Sequence, residues 1–242
     1  GSRSASGKTG SSEMLEELGI RLDLSPSQVA QVFAKEGITF FFAPVFHPAM
    51  RHVAPARKEL GVPTTFNFLG PLANPAQPIA TALGVADAEI APLMAAELAT
   101  RGRTAIVFRS NDGLDELSTT SDNAIWQVSK GAIETFTFDA REIGIERVSV
   151  DALLGGDARH NAQIAKKLFS GEEFQNSKAI SDIVCLNAAV GITAYDLAKD
   201  SKESETEINQ RLSVAFAMAQ TALTSGAALA KTKHWSFLTQ TI

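Results

Sequence analysis

Residues 80–116, ATALGVADAEIAPLMAAELATRGRTAIVFRSNDGLDE, predict a strand, a helix, a second strand and a loop, in that order. The apolar runs 80–85 and 104–110 are typical of buried strands, and Asp87 can cap a helix that continues to about Thr100. Alternation of this kind indicates an α/β fold, with a central, mostly parallel sheet flanked by helices. The acidic loop then follows the carboxyl end of a strand, where open α/β sheets bind ligands.

Upstream of this stretch, helix signals alternate with one further strand signal. Ser25, Pro26 and Gln28 form the pattern of a capping box, which predicts a helix ending near Gly37. The apolar run ITFFFAP, residues 38–44, predicts a buried and parallel strand. The other upstream predictions are a short helix capped by Ser11 or Ser12, a helix from Met50 to Leu60 and an ordered loop over 64–77.

Downstream, the pattern predicts an antiparallel hairpin and then mostly helices. Residues 124–128 and 133–138 flank Ser129-Lys130-Gly131, which suits a hairpin turn. Predicted helices begin at Gly155-Gly156-Asp157, run from Ser181 to Ala198, and extend as one long helix from Glu205 onward. We therefore expect residues 1–242 to form one α/β domain.

Composition narrows the classes of function. Apolar residues make up 45% of the chain, which excludes intrinsic disorder, and the net charge of −5 argues against a nucleic-acid partner. The single cysteine, Cys185, suits a reducing cytoplasm. The most apolar stretch, 183–195, is interrupted by Asn187 and is shorter than the roughly 20 residues that a bilayer requires. We expect a cytoplasmic protein without a membrane partner.

Three segments could carry chemistry. Asp112, Asp115 and Glu116 place three carboxylates within five residues, and such oxygen ligands suit Mg²⁺; an ordinary acidic surface loop is the alternative. The small residues of RSASGKTGSS, Arg3 to Ser12, would let a phosphate approach the backbone of the following helix, or they form an ordinary terminus. Between His47 and Asn74, an arginine near a Gly-Pro turn could pair with a carboxylate ligand, although a surface helix with ordinary charges is the more common explanation of such a segment.

Taken in order, these segments resemble the anthranilate phosphoribosyltransferases of tryptophan biosynthesis over almost the whole chain. The most specific stretch is HPAMRHVAPARKELGVPTTFNFLGPLANP, which begins at His47. The segments DGLDE (112–116), GGDARHNA (155–162) and LNAAVGI (186–192) also resemble the family. The implied fold is the large domain of the nucleoside phosphorylase and phosphoribosyltransferase type.

The resemblance implies a reaction and a set of site residues. The family transfers phosphoribosyl from phosphoribosyl pyrophosphate (PRPP) to the amine of anthranilate and releases pyrophosphate with Mg²⁺, with no protein nucleophile. Asp115 and Glu116 would hold the magnesium. The implied substrate-binding residues are Arg3, Ser11 and Ser12 for PRPP, and His47, Arg57, Gly70 and Pro71 along the anthranilate path, with Arg57 facing the carboxylate.

The chain also departs from the family pattern. The Gly-Thr-Gly-Gly-Asp loop that cradles pyrophosphate is absent from the sequence, as are the amino-terminal helices that precede it. We therefore expect a carboxyl-terminal portion that is weakly active or inactive alone. The helix over about 48–60 should pack toward that helical domain, and the family's homodimer should be weakened.

Two alternatives share the fold. A pyrimidine nucleoside phosphorylase would use phosphate and a nucleoside, and would not need the carboxylates of Asp115 and Glu116. A non-catalytic relative that binds nucleic acid should carry a basic groove, which the net charge of −5 disfavours.

Overall fold

A computed structural model of the chain describes residues 1, 9–49, 52–53, 56, 59–60, 64, 69–70 and 72–242. The chain divides into two compact units: 1–64 with 154–174 and 222–242, and 65–153 with 175–221. Each unit is described by itself below. That residues 1–242 form one catalytic domain, with the helix over 48–60 against a helical domain, stays a prediction.

The described part of the chain contains eight α-helices and a four-stranded sheet. The helices are α1 (Ser11–Glu17), α2 (Pro26–Glu36), α3 (Ala43–Phe46), α4 (Ile90–Thr100), α5 (Ala158–Ser170), α6 (Ser177–Lys199), α7 (Ile208–Thr224) and α8 (Ala227–Thr241). The strands are β1 (Ala80–Gly84), β2 (Thr104–Ser110), β3 (Asn123–Ser129) and β4 (Ala132–Phe138), and short 3₁₀ helices cover Ala140–Ile143, Val150–Leu153 and Ser201–Glu205. The α/β class is thereby confirmed.

The first unit is a helical core built from α1, α2, α5 and α8. Its buried apolar side chains are Leu18, Ile20, Leu22, Leu24, Val29, Val32, Ala162, Ala165 and Trp235. The predicted capping box starts α2: the Gln28 amide donates to Ser25 Oγ at 3.4 Å, and the Ser25 amide donates to Gln28 Oε1 at 3.0 Å. Gly37 ends the helix with φ of +70°, a conformation that glycine adopts without strain.

Two predictions in this unit are wrong in detail. Residues 38–42 are extended but form no strand, and α3 begins at Ala43 with Pro44 in its first turn, where proline favours a helix. The run contacts Gly1 through two hydrogen bonds: the Gly1 ammonium donates to Phe41 O at 2.7 Å, and the Ala43 amide donates to Gly1 O at 2.6 Å. The residue that caps α1 is Gly10, whose backbone amide donates to Glu13 Oε2 at 3.2 Å. Ser11 and Ser12 therefore lie inside the helix.

The long helix predicted from Glu205 is divided. A 3₁₀ turn ends at Glu205, α7 ends at Thr224, and α8 starts after Gly226. Gly226 has φ of +77°, which interrupts helical geometry and which side chains rarely adopt. Of the helix predicted over Met50 to Leu60, only 52–53, 56 and 59–60 lie among the described residues, and these are helical.

The second unit is built on a sheet of order β1-β2-β3-β4. β1 pairs with β2 in parallel, whereas β2–β3 and β3–β4 are antiparallel. The expected mostly parallel sheet is therefore a mixed one, because the hairpin predicted around Lys130 and Gly131 joins it. These two residues have φ of +50° and +77°, the backbone that a tight hairpin turn requires.

Helices cover this sheet and bury β2. α4 packs on β2 and β3, and α6 packs on β1 and β2. The core under α4 includes Leu83, Met94, Leu98, Ala105 and Val107. By length and composition α6 could cross a membrane, but core helices pass the same test, and its residues include the buried Cys185, Leu186, Ala189, Val190, Ala194 and Leu197.

The loop between β2 and β3 is organised around Asp112. Its carboxylate accepts hydrogen bonds from the hydroxyls of Ser110, Thr120 and Ser118, the last at 3.0 Å. Burial opposes ionisation of Asp112, but these hydroxyls outweigh it and hold the pKa of that carboxyl below its ordinary value. The loop is therefore fixed at its start by a charged anchor.

Replacing the cap of α2 should destabilise the first unit. Ser25→Ala removes the acceptor of the Gln28 amide and should lower the free energy of unfolding by about 1 kcal/mol. Denaturant titration of both proteins measures this loss. Ser170→Ala, an exposed serine on α5, serves as the control and should cost less than about 0.5 kcal/mol. Equal effects of the two changes would contradict the assigned cap.

Replacing the anchor of the β2–β3 loop should make stability depend less on pH. The lowered pKa of Asp112 stabilises the fold above the unfolded pKa near 3.8, and this contribution disappears as the pH falls through the folded value. Asp112→Asn should therefore be least stable relative to wild type at pH 6–7, and the difference should shrink below about pH 4. Thermal unfolding across this range checks the trend, and a constant difference would contradict it.

Candidate active site

Asp115 and Glu116 lie on the β2–β3 loop, after the carboxyl end of β2. The loop rests directly on the end of β1, where Gly84 leaves room for it. A Cβ built on Gly84 would overlap the backbone oxygen of Asp115, so any larger residue would displace the loop. The absence of a side chain at Gly84 thus allows the backbone of Asp115 to lie against the end of β1.

Two asparagine side chains hold the backbone just after this pair. Asn187 of α6 accepts from the Leu117 amide at 2.9 Å and donates to the Leu117 carbonyl at 2.8 Å. Asn123, the first residue of β3, does the same for Ser118, at 2.7 Å and 3.0 Å. Leu117 and Ser118 are fully buried, and both of their backbone polar groups are paired by these amides.

The electrostatics of the pair indicate that its negative charges are crowded. The pKa of Glu116 is raised to about 7. The causes are, in order, partial burial, the negative charge of Asp115 and a hydrogen bond to the Asp115 carboxyl. The charge of Asp112 adds a further increment. A bound divalent cation would reverse this trend, because an opposite charge stabilises ionised carboxylates.

The two carboxylates fit a magnesium ion that is bound together with its substrate. Among the described residues, no three His, Cys, Asp or Glu side chains converge on a site that could enclose a metal. Mg²⁺ is usually held by one or two carboxylates, with water and substrate phosphates completing its octahedron. Asp115 and Glu116 suit a magnesium ion that arrives with a phosphorylated substrate better than a permanent protein-bound one.

The residues predicted for PRPP are partly described. Ser11 is exposed at the start of α1, whereas Ser12 is buried and its hydroxyl donates to Glu13 Oε2 at 2.8 Å. Both belong to the first unit. Arg3 lies outside the described residues, so its proposed role stays a prediction.

The residues predicted for anthranilate are also partly described. His47 follows α3, is half-buried, and its backbone amide donates to Ala43 O at 2.8 Å. Gly70 is exposed in the second unit, and a Cβ built on it would meet no atom within 4 Å. Arg57 and Pro71 lie outside the described residues. That these four line one path therefore stays a prediction.

Sequence reasoning missed Gly84, Asn123 and Asn187 as parts of this site. Asn187 carried a signal, because it interrupts the most apolar stretch of the chain and lies in the LNAAVGI segment. Gly84 ends a strand where a β-branched residue would be typical. Neither signal reveals which backbone each residue contacts.

Comparisons with known proteins find relatives over almost the whole chain. The glycosyl transferase family, a/b domain, matches residues 1–229. The anthranilate phosphoribosyltransferase of Leifsonia xyli subsp. xyli is 46% identical over 235 residues, which are 97% of this chain and 66% of that protein. That of Clavibacter michiganensis subsp. michiganensis is 43% identical over 99% of this chain and 67% of its own length.

Solved structures are similar over the same extent. The crystal structure of the anthranilate phosphoribosyltransferase from Thermus thermophilus has a TM-score of 0.85 at 37% identity, covering 99% of this chain and 67% of that one. This chain thus spans about two thirds of the length of the relatives it matches. Sequence and fold together show that the chain belongs to the anthranilate phosphoribosyltransferase family.

Proposed function

We propose that the protein containing this chain transfers the phosphoribosyl group of PRPP to the amine of anthranilate. The observation that carries the proposal is the Asp115–Glu116 pair on the β2–β3 loop of a chain that is 46% identical to such an enzyme. The yeast anthranilate phosphoribosyltransferase, solved in complex with PRPP and Mg, shares the fold with a TM-score of 0.84. The observations do not favour a nucleoside phosphorylase, for which the paired carboxylates would have no purpose.

Asp115 and Glu116 would hold Mg²⁺ against the pyrophosphate of PRPP. When bound, the cation neutralises charge that develops on the leaving pyrophosphate. The role of the protein is to present both carboxylates to the cation at one place. The hydrogen bonds of Asp112, Asn123 and Asn187 serve this purpose, because they fix the loop before and after the pair.

The other predicted residues would orient the substrates. Arg3, Ser11 and Ser12 would donate hydrogen bonds to the phosphates of PRPP. Arg57 would pair with the anthranilate carboxylate, for which a guanidinium provides two parallel donors. His47, Gly70 and Pro71 would line the same path.

Displacement then needs no protein nucleophile. The anthranilate nitrogen forms a bond to the anomeric carbon of the ribose as the bond from that carbon to the pyrophosphate oxygen breaks. The nitrogen releases one proton, and pyrophosphate leaves with the electron pair. Catalysis by this route depends on placement of the reactants and on stabilisation of charge on the leaving group. A cytoplasmic location suits these soluble substrates, and a homodimer stays a prediction from the resemblance.

Full-length protein should consume anthranilate when PRPP and Mg²⁺ are supplied, and the loss of its fluorescence measures the rate. Asp115→Asn and Glu116→Gln should each lower kcat/KM for PRPP by about 100-fold or more, since each removes a metal ligand. Asp151→Asn, an exposed carboxylate in the same unit, should retain wild-type activity. Thermal unfolding confirms that all variants are folded.

The other outcomes of this assay are also informative. Full activity of Asp115→Asn and Glu116→Gln would overturn their role as metal ligands. If full-length wild type does not consume anthranilate but cleaves a pyrimidine nucleoside with phosphate, the transferase proposal is wrong.

Arg57→Ala should affect one substrate selectively. Loss of a paired guanidinium should raise the KM for anthranilate by about 10- to 100-fold while the KM for PRPP stays nearly unchanged. Initial rates at varied concentrations of each substrate separate the two constants. Arg141→Ala, an exposed arginine on a 3₁₀ helix, is the matched control. Equal rises in both KM values would contradict a carboxylate-specific role.

A further inference from the structure

The acidic pair reaches solvent, yet the chain becomes buried immediately after it. Residues 111–116 are exposed, whereas Leu117 and Ser118 are fully buried. A buried backbone amide or carbonyl without a hydrogen-bond partner destabilises the fold. At Leu117 both partners belong to one side chain, Asn187, at 2.9 Å and 2.8 Å. One peptide bond therefore separates Glu116 from a fixed point.

Asn187 is itself firmly held. It lies on α6, which packs on β1 and β2, and its amide nitrogen also donates to Ile183 O within the helix at 3.0 Å. The two bonds to Leu117 form a closed ring, so the side chain constrains both the distance and the orientation of that peptide. The position of Glu116 is consequently coupled to a core helix rather than to the surface loop.

The opposite side of the pair is limited by β1. The Asp115 carbonyl lies against Gly84, in the space that a Cβ would occupy. Asp115 and Glu116 are thus confined between the end of a strand and the amide of Asn187. Two adjacent carboxylates repel each other, and a loop without these constraints would let them move apart. The confinement fixes the backbone from which both carboxylates extend.

We propose that Asn187 is a positioning residue for the metal-dependent reaction: by fixing the Leu117 peptide, its side-chain amide places the Asp115 and Glu116 carboxylates for Mg²⁺ held by PRPP. The inference rests on the proposed function and adds a residue to it. Asn187 does not touch the metal or the substrate in this role. It acts through the backbone, as residues that orient metal ligands commonly do.

The test compares three forms of the full-length protein: wild type, Asn187→Leu and Thr193→Val. Leucine keeps the branching and the number of side-chain heavy atoms of asparagine, is somewhat larger, and removes both hydrogen bonds to Leu117. Thr193→Val, also on α6, removes a buried hydroxyl that donates to Ala189 O at 2.9 Å and controls for simple loss of helix stability. Calorimetric titration with PRPP and Mg²⁺, without anthranilate, measures binding in the absence of turnover.

Asn187→Leu should weaken the binding of Mg²⁺ and PRPP by about 10- to 100-fold, the usual effect of losing a residue that orients metal ligands. In rate measurements the KM for PRPP and the magnesium concentration for half-maximal rate should both rise. The KM for anthranilate should stay near its wild-type value, and Thr193→Val should resemble wild type in all three quantities. A merely structural Asn187 would change the melting temperature and the active fraction without moving these constants.

Other results decide the question differently. Wild-type affinity for PRPP with Mg²⁺ in Asn187→Leu would overturn the inference while leaving the proposed function intact. If wild type neither binds PRPP nor consumes anthranilate, the proposed function fails, and the inference fails with it. Where Asn187→Leu does not fold, Asn187→Ala, measured below its melting temperature, decides by the same constants.

Discussion

Repulsion between two neighbouring carboxylates is the constraint on which the rest of this structure depends. Two like charges at about 4 Å repel by about 1 kcal/mol in water and about 4 kcal/mol near a protein surface. Partial burial, and after it the charge of Asp115, raise the pKa of Glu116 to about 7. In the proposed function, a cation shared by Asp115 and Glu116 would offset the cost, provided that the backbone keeps both side chains near one point before the cation arrives. The features around the β2–β3 loop can be understood as ways to keep them there.

The mixed sheet contributes directly to this task. β2 is buried and brings the chain to the loop, and the antiparallel return into β3 places Asn123 where it can pair with Ser118. A parallel neighbour would instead leave through a crossover and would not return at this edge. On the other side of the loop, Asp112 gathers hydroxyls from Ser110, Ser118 and Thr120. The antiparallel pairing of β2 with β3, which the predicted parallel sheet did not include, therefore closes the β2–β3 loop.

Local signals in the sequence were sufficient for much of the fold. The capping box of Ser25 and Gln28, the Asp157 cap and the turn at Lys130-Gly131 depend on residues within a few positions of one another, and all three were confirmed. The strand predicted over residues 38–44 was wrong because an apolar run does not reveal whether a neighbouring strand pairs with it. The helix predicted from Glu205 failed at Gly226, since glycine within a helical pattern can be tolerated or can end the helix. The contact between Asn187 and Leu117 joins residues 70 positions apart, which no local pattern encodes.

The two parts of the candidate site consequently have different support. Asp115 and Glu116 have an observed environment, whereas the roles of Arg57, His47 and the serines of α1 rest on resemblance. A reaction without a protein nucleophile makes that environment more important, because such an enzyme works by placing reactants, and a misplacement of about 1 Å can cost about 100-fold in rate. In the proposed reaction, residues that hold a peptide bond in place, such as Asn187, would contribute to the rate without meeting the substrate. The need to fix the Leu117 peptide explains why position 187 is an asparagine, since helix α6 by itself would accept an apolar residue there.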